Sequence, residues 1–357
     1  MSRTPAAPAS SSPIIEVQDL SKSFWVHRKA PGFWGSVRSL VRRKKEEKRA
    51  VESVSFRVDE GEIVGLVGGN GAGKTTLVKM LAGIVHPSSG QARVLGYAPW
   101  KRDDRLRRRM ALIMGQKAQL WWDLPAADGF LLLRDIYGIP AAEMQENMDT
   151  LVELLAVEDQ IHVPIRRLSL GERMKMELIA ALLHSPKVVY LDEPTIGLDL
   201  SAQRAVREFI LSYRRRRRPA MLVTSHYMED IEQLCERILI IREGRLVYDG
   251  SRRQVIERFA RFKLVTVHLR RDLQAHDEEY LDRLGRRLES TADSVRLEVD
   301  RHQVPSVASA LTAHFDVADL SIEEEPLAHV IERLQQARQE EEDERFFFDA
   351  TAQAGFL

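Results

Sequence analysis

The 357-residue sequence predicts an α/β protein with a parallel sheet between helices, followed by a smaller α+β domain. Three observations predict this. The apolar run from Ile63 to Val67 leads into a glycine-rich turn and then a helical pattern beginning near Lys74. Two more apolar runs, KVVYLDEP and AMLVTSH, end abruptly in polar residues, as parallel strands do at the sheet edge that takes ligands. After Gly250 the pattern restarts as short alternating strands and amphipathic helices. The expected boundaries are a lead-in at 1–13, the α/β domain at 14–250, the α+β domain at 251–340 and a tail at 341–357.

Lys+Arg and Asp+Glu balance at 53 each, so no global field draws the chain to nucleic acid or an anionic membrane. The single cysteine, Cys235, excludes an intramolecular disulfide and fits a reducing compartment. Its segment, EDIEQLCERI, reads as a helix with the thiol packed inside. No apolar run approaches the roughly 20 residues of a membrane span. The opening MSRTPAAPASSSP also lacks the apolar centre of a secretory signal. A soluble chain is expected, with any membrane role exercised through a partner.

Taken in order, IIEVQDL from Ile14 and AVESVSFRV ending at Val58 read as strands. Between them lies a basic insertion, about 26–49. Phe33, Trp34, Val37, Leu40 and Val41 fall on one helical face, while Arg38, Arg42, Arg43, Lys44 and Lys45 crowd elsewhere. This pattern fits a helix lying on an anionic membrane surface, and equally a helix packed on its own domain with a solvated basic face. QARVLG and MALIMG read as short strands. A helical subdomain follows, about 125–185. In it Ser169 is an expected N-cap, with Glu172 completing a capping box. Arg214 to Arg218 close a helix before Pro219 and read as cations facing water at a helix C-terminus.

The chemistry concentrates at strand ends. Gly68, Gly73, Lys74 and Thr75 fit G-x-x-x-x-G-K-[ST]. Glycines at that spacing let successive backbone N–H groups turn inward on a polyphosphate, and the helix start adds further donors and a positive dipole end. Lys74 is expected to reach the β- and γ-phosphates, and the Thr75 hydroxyl to coordinate Mg²⁺. Asp192 and Glu193 end an apolar strand, where Asp192 suits a role at Mg²⁺ and Glu193 the orientation or deprotonation of a water. His226, after AMLVTS, is expected to hydrogen-bond the γ-phosphate and hold the Glu193–water geometry. Gln116, after MALIMG, is a candidate to touch Mg²⁺ and that water.

This set resembles the nucleotide-binding subunit of ABC transporters, with order and spacing in register from about Ile14 to Gly250. GGNGAGKTT looks like that family's Walker A loop, which would bring Gly68, Gly69, Asn70, Gly71, Ala72, Gly73, Lys74, Thr75 and Thr76 around ATP. Gln116 looks like the Q-loop, LSLGE the signature, VVYLDEP Walker B, IGLD the D-loop and His226 the switch histidine. Phe24 stands where the family stacks an aromatic ring on adenine. The resemblance implies a P-loop NTPase fold and a head-to-tail homodimer in which Ser169 and Gly171 of one copy complete the phosphate site of the other. It also implies a transmembrane permease as partner and a cytoplasmic location on the inner face of the plasma membrane. Gly69 departs from the family's usual proline, and Leu170 and Glu172 from the usual Gly and Gln of the signature. The basic insertion and the C-terminal extension look most like exporters of drugs, lipids or polysaccharides. Trp121 and Trp122 fall where the family meets its membrane subunit, and read equally as core aromatics.

An alternative is a soluble ATPase of the same class acting on nucleic acid or ribosomes. The spacing has no room for the long coiled coil of the repair members, and the chain holds one ATPase unit rather than two. The C-terminal region reads as βαβαβα, from KLVTVHLR through PLAHVIERLQQARQ, with no catalytic constellation. It is expected to be a regulatory or dimer-supporting module.

Overall fold

The computed structural model describes residues 12–27, 45–115 and 117–334. The chain divides after Gly250 into two compact units. In the first, β1 (Ile15–His27) pairs antiparallel with β2 (Lys45–Val58). After β3 (Ile63–Val67) come α1 (Lys74–Leu81), β4 (Ser89–Val94), α2 (Asp104–Arg107) and β5 (Met110–Met114). Three helices follow, α3 (Ala126–Tyr137), α4 (Ala141–Leu155) and α5 (Leu170–Leu182). The remainder is β6 (Val188–Asp192), α6 (Leu200–Arg217), β7 (Ala220–Thr224), α7 (Met228–Leu234), β8 (Arg237–Arg242) and β9 (Arg245–Ser251).

The main sheet runs β5-β6-β7-β3-β8-β9, and β5, β6, β7, β3 and β8 are parallel. Every residue of β3, β6 and β7 is buried. That is why these strands read as unbroken apolar runs, each buried Val, Leu or Ile contributing about 1.5–3 kcal/mol. β3 sits between β7 and β8, so the chain order reverses there and the carboxyl ends of β3, β6 and β7 open onto one crevice. A second sheet, β2-β1-β4, is antiparallel.

The second unit contains α8 (Arg252–Phe259), β10 (Phe262–Leu269), α9 (Ala275–Leu284), β11 (Arg286–Ser290), β12 (Ser294–Asp300), α10 (Val304–His314), β13 (Val317–Glu324) and a helical stretch at 327–334. Its sheet, β11-β12-β10-β13, is antiparallel throughout. The order βαββαβ is a split β-α-β arrangement. Val265 and Val267 of β10 and Val295, Leu297 and Val299 of β12 join Leu281 and Leu311 in a core of its own.

Several expected boundaries are corrected. The βαβαβα reading omitted β11, whose RRLES carries two arginines and no apolar alternation because it is a short charged edge strand. It also omitted α8. The ends of the basic insertion, 26–27 and 45–49, are strand, because β1 and β2 continue as a hairpin as far as the His27–Lys45 pair. The helix expected there falls in 28–44, outside the described residues, as does the tail at 341–357. AMLVTSH is strand only to Thr224, and α7 stops at Leu234, leaving buried Cys235 extended. Arg214 and Arg217 do not simply face water. Arg214 donates to the Gly61 carbonyl at 2.7 Å and Arg217 to the Asn147 side-chain oxygen at 2.5 Å.

Candidate functional site

Parallel register builds the site. Asp192, last in β6, lies opposite Thr224, last in β7, and Thr224 lies opposite Leu66 of β3. The loop after β3 curls on glycine for a steric reason. A Cβ on Gly68 would stand 2.2 Å from the Ile241 carbonyl oxygen, and one on Gly73, where φ is 109°, 2.2 Å from that of Ala50. Lys74, in the first turn of α1, is buried and donates to the carbonyls of Gly68 (2.7 Å) and Gly69 (3.0 Å). Burial holds its ammonium below the usual lysine range, opposed by the nearby carboxylates of Glu193 and Asp192.

Behind the lysine, the Thr75 hydroxyl donates to Asp192 Oδ1 at 3.3 Å, and the Thr224 hydroxyl donates to the same oxygen at 2.6 Å. Glu193 follows the strand with a left-handed φ of 58°, a conformation that costs a non-glycine residue about 1–3 kcal/mol. Its N–H donates to the Thr224 carbonyl at 3.0 Å. Its carboxylate meets His226 Nε2 at 2.7 Å. Gly115 makes room for this turn, since a Cβ there would lie 2.1 Å from the Glu193 carbonyl oxygen.

Phe24, Asn70, Gly71, Ala72, Gly73, Lys74, Thr75, Thr76, Glu193 and His226 line one open cleft of about 440 Å³, joined by Lys48 and Ala50. Phe24 pairs in register with Lys48 and is 40 % exposed at the cleft rim. The arrangement offers a cation and a helix start with no side-chain cap for a polyphosphate, a hydroxyl–carboxylate pair, and a carboxylate–imidazole pair able to orient a water. Ser169 and Gly171 are not among the residues lining this cleft. Ser169 caps α5, accepting from the Glu172 N–H at 3.2 Å while Glu172 accepts from the Ser169 N–H at 2.8 Å. Gln116 lies outside the described residues.

Beyond Gln116 the chain hangs from α5. The buried Glu177 carboxylate accepts the N–H groups of Gln119 and Leu120, and burial raises its acid above the usual range against those donors. Trp121 and Trp122 are exposed rather than core residues, with the Arg173 guanidinium 4.9 Å from the Trp122 ring centre. Sequence reasoning missed Thr224, Gly115 and Lys48 at this site. A threonine closing a buried strand and a glycine directly after one were the available signals; Lys48 carried none.

Both compact units are similar to known protein families. Residues 51–196 match the family described as "ABC transporter", and residues 261–323 match "EvrA-like ABC transporter, C-terminal domain". The chain belongs to the ATP-binding proteins of ABC transporters and is an ATPase of that class. Among relatives, it is 31% identical over 214 residues to the ABC transporter ATP-binding protein NatA of Bacillus subtilis (strain 168), spanning 60% of this chain and 87% of that one. It is 36% identical over 217 residues to the Nod factor export ATP-binding protein I of Burkholderia thailandensis, spanning 61% of this chain and 71% of that protein. A solved ATP-binding subunit of an ABC transporter superposes with a TM-score of 0.57 at 26% identity, covering 69% of this chain and 93% of that one. A dimeric ATP-binding cassette in a post-hydrolysis state with ADP and Pi shares the fold at 19% identity, with a TM-score of 0.55 over 66% of this chain and 98% of that chain. Among the described residues no helix is long and apolar enough to cross a membrane.

Proposed function

We propose that this chain binds Mg²⁺ and ATP in the described cleft, pairs head to tail with a second copy, and hydrolyses ATP to drive export through a separate transmembrane permease. The observation that carries the hydrolytic reading is the Glu193–His226 contact of 2.7 Å, facing the same cleft as Lys74 and Thr75. In this reading Lys74 leaves its two loop carbonyls for the β- and γ-phosphates, and Phe24 stacks on adenine. The oxygens of Thr75 and Asp192 suit a hard divalent cation, with Gln116 as a further ligand, and the bound ion would neutralise phosphate charge. Glu193 orients the attacking water and takes its proton. His226 fixes the Glu193 carboxylate on one side and faces the γ-phosphate on the other.

Pairing of two copies is supported by Ser169 and Gly171, which stand at the start of α5 outside the cleft and so would serve a neighbouring copy. Export is supported by the name of the Nod factor export relative, and the relatives named as transporter subunits favour this over action on nucleic acid or ribosomes. The exposed Trp121 and Trp122, next to the loop hung from Glu177, suit the permease contact. We place the chain in the cytoplasm against the inner membrane face, the basic residues of the insertion within 28–44 meeting anionic lipid and the C-terminal unit supporting the dimer or regulating it. Glu193→Gln tests the hydrolytic step. ATP should bind with near-normal affinity while turnover falls on the order of a hundredfold or more, the worth of a positioned general base. Wild-type turnover would move the water elsewhere.

A further inference from the structure

Behind the cleft, a fully buried carboxylate that the proposed chemistry does not use joins the two loops carrying Glu193 and His226. Asp230, in α7, has no exposed surface. Its Oδ2 accepts the Ser225 hydroxyl at 2.6 Å and also the Thr195 hydroxyl. Its Oδ1 accepts Arg207 Nη1 of α6 at 2.9 Å. Thr195 is buried as completely, and Arg207 and Ser225 are buried at 4 % and 5 % exposure. Thr195 stands two residues after Glu193, and Ser225 directly before His226. One oxygen atom therefore ties together the two loops whose side chains meet in the cleft.

The tie answers a mechanical need. Glu193 holds a left-handed backbone, and such strain persists only where the surroundings over-determine it. On its N-terminal side the Glu193 N–H is fixed by Thr224. On its C-terminal side the Thr195–Asp230 bond holds the chain, while Ser225 both donates to Asp230 and accepts the Tyr227 N–H at 3.0 Å, setting the turn around His226. A buried charge of this kind costs stability unless paired, and Arg207 supplies the pair.

We propose that Asp230 is a positioning residue for hydrolysis, holding Glu193 and His226 in contact by binding both loops at one carboxylate. The inference rests on the reading of Glu193 and His226 as the hydrolytic pair, and its test separates the two. Single-turnover and steady-state ATPase assays on the full chain would compare Asp230→Asn, His226→Ala and the double variant, with ATP affinity measured for each. Asp230→Asn should lower kcat roughly tenfold to a hundredfold, the cost of a misplaced reacting group, with ATP affinity and KM close to wild type. In the His226→Ala background the same change should cost less than about twofold more, because the contact it maintains is already gone. Losses that multiply, or a wild-type kcat in Asp230→Asn, overturn the inference. A wild-type rate in His226→Ala instead overturns the pair itself and the inference with it. Should Asp230→Asn fail to fold, Thr195→Val and Ser225→Ala each remove one arm and leave the Asp230–Arg207 pair intact. Both should lower kcat without raising KM, and wild-type kcat in both refutes the role.

Discussion

Lys74 is a cation folded back onto the carbonyls of its own loop, in a cleft that also presents Glu193, with the buried Asp192 carboxylate close enough to act on its charge. It satisfies those carbonyls until a stronger anion replaces them, so its removal leaves the loop intact but without its cation. Lys74→Ala should weaken ATP binding about tenfold to a hundredfold, the span of a hydrogen bond to a charged group, and equilibrium binding of a fluorescent ATP analogue measures it. Unchanged affinity would show that the phosphates bind elsewhere. Lys74, Thr75, Asp192, Glu193 and His226 were legible in the sequence because their chemistry resides in residue type and spacing. Gly115 and Asp230 were not. Each matters through an atom far along the chain, the Glu193 carbonyl for Gly115 and the Thr195 hydroxyl 35 residues from Asp230, and no local pattern reports such a meeting.

At the scale of elements, the strands β3, β6 and β7 and the capped start of α5 were readable because burial on both faces and a capping box leave local marks. β11 and the extension of β1 and β2 were not, since an edge or hairpin strand is specified by its partner rather than by its own apolar period. His184, just beyond α5, fastens neighbouring elements. Its ring stacks on Tyr137 at 4.0 Å, closing α3, and Nε2 donates to the Met110 carbonyl at the start of β5. Its Nδ1 is buried with no hydrogen-bond partner, so a proton there would have no acceptor. Burial pushes the imidazole from its ordinary 6.5 down to about 4. The depressed value fixes the sign: the unfolded chain takes up a proton below pH 6.5 that the folded chain refuses until about pH 4, so stability is lost across that window as pH falls. At pH 5 the loss amounts to roughly 2 kcal/mol. His184→Gln keeps an N–H for Met110 but cannot titrate. Between pH 7.5 and pH 5 it should lose about 2 kcal/mol less unfolding free energy than wild type in urea titrations, and parallel losses in the two proteins would refute the assignment.

For the whole molecule, the proposed dimer makes a demand that neither unit can meet within one chain: a phosphate loop from one copy and a signature helix start from the other. The change from an apolar α/β pattern to a charged α+β one was visible at Gly250, whereas in the proposed function a separate permease would read the cargo, which leaves no trace here. Mixing two damaged variants tests the composite site. Lys74→Ala spoils its own phosphate loop and leaves its α5 start sound. Ser169→Arg places a bulky cation where a small hydroxyl would approach the γ-phosphate. It also removes the cap of α5, worth about 1 kcal/mol, so its fold must be checked by thermal melting. Each variant alone should be nearly inactive, because its homodimer holds two damaged sites. Mixed, the sound loop of the Ser169→Arg chain meets the sound signature of the Lys74→Ala chain, giving one intact site beside one doubly broken. Single-turnover hydrolysis should return in the mixture and fade on dilution, since the pairing is concentration dependent. A folded Ser169→Arg chain that hydrolyses like wild type would sink the composite site. A dead mixture that still crosslinks as heterodimers would instead show that one intact site cannot fire beside a broken one.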